Sequence, residues 1–344
     1  MFFRMLSKIQ ADLLLASFIS LSGSFVHAKD PPPPSAYGDA TMESASFLYS
    51  EGQASFKRGL FTEAERLLQR LIDRHVEFEF RMDALLLLAQ SKIELHKPSA
   101  AIPLLQTYLE QPHALGARID AELLLGQAYL DTNRFHEAYL VSFELLHGES
   151  LKKLETESFS LLKALLLKAE SQLGLNQANR ADRTLVSLKS TLGRTGFSPP
   201  THWVARVDQI ELELKLRSCA VFPTQRILTE EQARDQMQRR GRCLSEALPI
   251  FEHIWSQKDL GQTRFAAHRL TVAYNAYRFA LQAPPLPPGK RSPAQLRNYQ
   301  LELVDRLSMD YLAHKRVAQN FFNRLGKTSD SSTKRILDEI QQEL

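Results

Sequence analysis

The sequence predicts an all-α chain whose antiparallel helix pairs stack into an α-solenoid, and three observations carry that expectation. Four segments, 48–72, 85–109, 123–146 and 165–188, align with one another without gaps, the self-similarity of stacked repeats. Each copy carries two small residues twelve positions apart: Gly52 and Ala64, Ala89 and Ala101, Gly126 and Ala138, Ala169 and Ala181. The composition favours helix, with only 14 glycines in 344 residues, 44% hydrophobic residues and abundant Leu, Ala, Glu, Gln, Lys and Arg.

From the N-terminus, residues 1–28 read as a cleaved secretory signal. Arg4 and Lys8 precede apolar stretches at 13–16 and 18–21, and Val26-His27-Ala28 is a small-x-small cleavage site. The apolar run falls short of the roughly 20 residues a membrane span needs. No later segment is apolar enough to cross a bilayer, so no transmembrane span is expected after cleavage. Residues 29–43 include four successive prolines, Pro31 to Pro34, which make a stiff, extended spacer. The expected destination is outside the cytoplasm, in a bacterial periplasm.

The repeats follow at 44–190. Two antiparallel helices approach closely only where side chains are small, which is what the paired Gly and Ala positions provide. Gly59, His96, Asn133 and Asn176 occupy matching places in the turns, where a helix C-terminus calls for left-handed backbone that suits Gly and Asn. Phe61, Pro98, Phe135 and Ala178 come next and plug the helix junction. Thr62 and Glu65 have the spacing of a capping box.

These residues resemble the tetratricopeptide repeat. The third copy, LLLGQAYLDTNRFHEAYLVSFELL, is the best match, with its Gly-x-x-Tyr and Phe-x-x-Ala elements. The first-helix small residues of successive copies are 37, 37 and 43 positions apart, longer than the family's usual ~34, and Leu stands where an aromatic is expected early in the first helix. The resemblance implies a non-enzymatic scaffold that binds a protein or peptide on the concave face lined by first helices. It maps partner contacts onto Gln53, Phe56 and Lys57, then Gln90, Ile93 and Glu94, then Gln127, Leu130 and Asp131. A ladder of glutamine amides both donates to and accepts from an extended backbone. The Lys/Asn pattern by which some members clamp a C-terminal carboxylate is absent.

Beyond the repeats, residues 191–283 read as degenerate helical repeats. Residues 203–216 form an amphipathic helix, and 243–251 resemble the start of its partner, with Ala247 as the small residue. Residues 220–242 are then an insertion. Its Arg234, Arg239, Arg240 and Arg242 are a candidate basic knob for an acidic partner or an anionic glycan. Cys219 and Cys243 bracket the insertion where helix partners meet, the arrangement expected of one disulfide in an exported chain. Thr229 to Gln232 and Ser292 to Gln295 are further capping-box patterns. Residues 284–344 are expected to be C-terminal capping helices.

Chemistry is sparse. The ten histidines are scattered, and there is no metal-ligand spacing, no nucleophile elbow and no phosphate-binding glycine loop. No metal, cofactor or catalytic residue is therefore expected. From residue 200 onward 22 basic residues face 16 acidic ones, whereas residues 29–199 carry 19 against 22. That imbalance is too small to indicate nucleic acid. Two readings stand: a cell-envelope scaffold for protein–protein interaction, or a peptidoglycan-associated, lytic-transglycosylase-like wall-turnover factor. The second would need a catalytic Glu followed by Ser. Glu43, Glu149, Glu157 and Glu170 have that neighbour, but none has the glycine and aromatic surroundings of such a domain.

Overall fold

The computed structural model describes residues 44–148, 158–219, 230–282, 292–326 and 338. The signal peptide, the proline spacer, Thr229 and most of the final helix expected at 334–344 lie outside the described residues. Twelve helices and no strand occur among them. The chain divides into two compact units, residues 1–199 and 200–344.

The first unit holds four helix pairs: α1 (Ala45–Lys57) with α2 (Phe61–Arg74), α3 (Arg81–Glu94) with α4 (Pro98–Leu109), α5 (Leu115–Asp131) with α6 (Phe135–His147), and α7 (Ser158–Gly174) with α8 (Ala178–Thr195). Each helix packs on the next. The first helices also pack in a row, α1 on α3, α3 on α5 and α5 on α7. This is the nearest-neighbour pattern of an α-solenoid.

The turns are the ones the sequence specifies. Gly59, His96, Asn133 and Asn176 have φ of +76°, +57°, +59° and +59°. At each, the next residue's N–H reaches back to the preceding helix: Leu60 to Ser55 O, Lys97 to Lys92 O, Arg134 to Tyr129 O and Gln177 to Gln172 O, at 2.8–2.9 Å. This closure satisfies carbonyls that a helix end leaves open. The six alanines among the eight paired small residues are fully buried, and Gly52 and Gly126 are buried with them. A Cβ on Gly52 would lie 2.8 Å from Leu68 Cδ2, and one on Gly126 would lie 2.3 Å from Leu167 Cδ2. The first glycine thus closes a pair, and the second closes the seam between successive pairs.

One cap differs from expectation. α2 begins at Phe61 with Leu60 as its N-cap and no side-chain cap bond, so Thr62 already lies inside the first turn. The left-handed turn at Gly59 starts the helix early. Glu65 instead accepts from Lys92 Nζ at 2.8 Å and Lys97 Nζ at 2.7 Å, tying the first pair to the second.

The second unit contains α9 (Thr201–Cys219), α10 (Glu230–Ser256), α11 (Leu260–Gln282) and α12 (Pro293–Gly326). α10 packs against the other three, around a core that includes Phe251, Leu270, Tyr274, Tyr277 and Phe322. It is one continuous helix of 27 residues, so residues 243–251 lie within it and residues 230–242 are its first turns. Its pairing with α9 is the one the sequence indicated. Cys219 and Cys243 stand at disulfide geometry, with Cα atoms 5.5 Å apart. The α10–α11 turn repeats the left-handed device of the first unit at Lys258, φ +58°. The Ser292–Gln295 capping box forms as expected: Ser292 N–H donates to Gln295 Oε1 at 3.0 Å, and Gln295 N–H donates to Ser292 Oγ at 3.3 Å.

Candidate functional site

Because the first helices stack side by side, a stripe at i, i+4, i+7 and i+11 recurs on each of them. On α1 it is Ser46, Ser50, Gln53 and Lys57. On α3 it is Asp83, Leu87, Gln90 and Glu94, on α5 Asp120, Leu124, Gln127 and Asp131, and on α7 Lys163, Leu167, Glu170 and Gly174. Five carboxylates and two lysines make the stripe net acidic. Of its four rows, the sequence reading named only positions in the last two. Stepping back seven residues from each Gln reaches Ser46, Asp83 and Asp120, and that period was the available signal.

The expected contact residues divide into three groups. Gln90, Glu94 and Asp131 are half-buried on the stripe, and Lys57 is exposed at its edge. Gln53 and Gln127 are also on it but only 6% and 7% exposed; Gln127 Nε2 donates to Asp131 Oδ1 at 2.7 Å. Ile93 and Leu130, by contrast, belong to the buried core shared by the second and third pairs. One residue of helix is a rotation of about 100°, which carries each of them off the stripe and into the stack. Phe56 is turned likewise toward its own pair, its ring edge-on to Phe61 at 5.5 Å.

The electrostatics of the stripe are uneven. Glu94 has its pKa raised, and burial is the cause; no ion pair or hydrogen bond reaches it among the described residues. Lys163 has its pKa lowered by burial, against the opposing pull of Asp120, and its Nζ lies 4.6 Å from the centre of the Phe159 ring. Glu170, one of the Glu-Ser pairs, sits on this stripe as well; Glu43, Glu149 and Glu157 are outside the described residues.

The basic knob is not assembled. Arg239 pairs with Asp235 at 2.8 Å within α10. Arg240 is only 8% exposed, lies 5.8 Å from the Tyr277 ring centre, and has its pKa lowered by burial. Arg242 is exposed, and the Arg234 side chain is outside the described residues. A continuous helix spaces the four around its axis, so they do not share one face. Among the described residues no three His, Cys, Asp or Glu side chains converge as a metal site, and no helix is long and apolar enough to cross a membrane.

No protein-family model matches the sequence, and no curated protein matches it. Among solved structures, a tetratricopeptide repeat protein from Parabacteroides merdae ATCC 43184 is similar at 13% identity and a TM-score of 0.40, over 87% of this chain and 98% of that one. The helix pairs themselves, with buried small residues at matched positions and a left-handed turn in each, make residues 45–195 an α-solenoid of antiparallel helix pairs.

Proposed function

We propose that this protein is a non-enzymatic scaffold of the cell envelope that holds a protein or peptide partner against the stripe of its first helices. The observation that supports this most is the stripe itself. The first helices of four successive pairs present aligned polar positions, and of these Gln53, Gln90 and Glu94 have no hydrogen-bond or ion-pair partner among the described residues. Buried or half-buried polar groups are costly unless bonded, and a bound backbone is the ligand that would satisfy a row of amides and carboxylates. Export is part of the same proposal. It is supported by the signal-like first 28 residues and by the disulfide geometry of Cys219 and Cys243, since such bonds persist in oxidising compartments.

The test is site-specific photocrosslinking in an intact envelope, with the crosslinker at Leu87 or Leu124 on the stripe and at Val186 or Leu140 on second helices. A discrete protein adduct from the stripe positions alone is the expected result. Adducts only from Val186 or Leu140 would overturn the placement. Release of soluble fragments from purified cell wall by the full chain would overturn the non-enzymatic reading.

A further inference from the structure

The scaffold reading leaves the chemistry of the partner open, and three side chains on neighbouring helices narrow it. Glu94, at the end of the α3 stripe, is a half-buried carboxylate with no cation and no hydrogen-bond donor among the described residues. Ion pairs are available to other carboxylates of the same unit: Glu65 has two lysines, and Glu63, Glu122 and Glu137 each have an arginine. Glu94 is left out of that pairing although burial already penalises its charge. An ionised carboxylate in such a place is stabilised by an external cation.

The second observation is independent of charge. Gln53 is more than nine-tenths buried, at 6% exposure. Its amide has no hydrogen-bond partner among the described residues. Gln90, one turn before Glu94 on the adjacent helix, is also without a partner. An amide fixed by packing and left unsatisfied is preorganised to bond a peptide group, which presents one donor and one acceptor per residue.

Resting on the scaffold reading, we infer that Gln53, Gln90 and Glu94 hold an extended basic peptide segment, the amides taking its backbone and the Glu94 carboxylate taking a lysine or arginine side chain. The stripe as a whole is net acidic, with Asp83, Glu94, Asp120, Asp131 and Glu170 against Lys57 and Lys163. Lys57, at the exposed edge of α1, sets the direction: it disfavours a second cation beside Gln53 and favours an acidic or neutral residue there.

The experiment selects binders from a random dodecapeptide display library on the full chain and on Glu94→Lys and Gln53→Ala/Gln90→Ala variants, each checked for an unchanged circular dichroism spectrum. The expected result is enrichment of one Lys or Arg position on the parent. Affinity of the selected peptides should fall about tenfold or more on Glu94→Lys, the loss of one charge-assisted contact, and selection on that variant should turn toward Asp or Glu. Peptides that show no basic preference and bind Glu94→Lys as they bind the parent, but are lost on the glutamine variant, would overturn the basic-segment inference and leave the scaffold reading standing. Peptides that bind all three proteins equally would overturn both.

Discussion

The ring of Phe135, at the first position of α6, lies directly on the bare Cα of Gly174, at the last position of α7: a Cβ built on that glycine would sit 2.2 Å from Phe135 Cδ1. The junction plug of one pair is thereby seated on the end of the next pair's first helix. Gly174→Ala would ordinarily favour a helix. Here it is expected to cost roughly 1–3 kcal/mol through overpacking. Combining it with Phe135→Leu should recover part of that loss, so the two changes should be less than additive. Denaturant unfolding of the four proteins measures it.

The left-handed turns predict the opposite sign for glycine. His96 and Lys258 adopt φ of +57° and +58°, a conformation that costs side-chain-bearing residues roughly 1 kcal/mol, partly offset by the greater freedom of an unfolded glycine. His96→Gly and Lys258→Gly should each raise the denaturation midpoint, by up to ~1 kcal/mol of stability. Asn133→Val, which adds β-branching at φ +59°, should lower it.

Acid should loosen the second unit through Glu213. Burial works to raise the pKa of this carboxyl, but two hydrogen bonds from Arg269, both 2.7 Å, with the charges of Arg269 and Arg217, outweigh it and hold the pKa below the usual value. A carboxyl whose pKa is lowered on folding contributes stability above its unfolded pKa, about 4.3, and loses it as pH falls through the lower folded value. Glu213→Gln should cost about 3 kcal/mol at neutral pH by leaving the arginines uncompensated. It should also flatten the stability profile below pH ~4, which urea titrations across that range would show.

Glu94 has the reverse sign. Its pKa is raised by burial, so folding is favoured when it is protonated, and that contribution is lost as pH rises through the unfolded and then the folded value. Glu94→Gln should therefore stabilise slightly at neutral pH, by less than ~1 kcal/mol. A melting temperature that drops on this substitution would show that the carboxylate has a structural partner.

Reducing the Cys219–Cys243 pair should remove about 3 kcal/mol in the chain-entropy picture. The check is a peptide map of unreduced protein, followed by melting with and without reductant. Two alkylatable thiols in the unreduced protein would count against the bond.

How much of this was legible in the sequence differs between the two units. In the first, Gly59, Asn133 and Asn176 announce their turns by residue type, and the recurring glycine or alanine marks buried positions in every pair. In the second, the same seven-residue interval runs from Phe251 to Lys258 as from Gly126 to Asn133. Phenylalanine replaces the small residue, however, and lysine is no signal for positive φ. Packing by α9, α11 and α12 forces that turn where local propensity does not. The stripe was half legible: glutamine recurrence located it, but Ile93 and Leu130 were assigned to it because sequence spacing fixes helix rotation only once neighbouring helices are known. The four arginines at 234–242 looked like a surface cluster for the same reason, and burial of Arg240 under Tyr277 needs the third helix to be seen.

The closeness of Cys219 to Cys243 also bears on what a cut in the chain between them would do. With the bond formed, a protease that cuts anywhere between residues 220 and 242 opens a ring and does not release a fragment. α9 and α10 remain one molecule, held also by the core they share with α11 and α12. A cut there leaves the two sides joined through the Cys219–Cys243 bond until a reductant opens it.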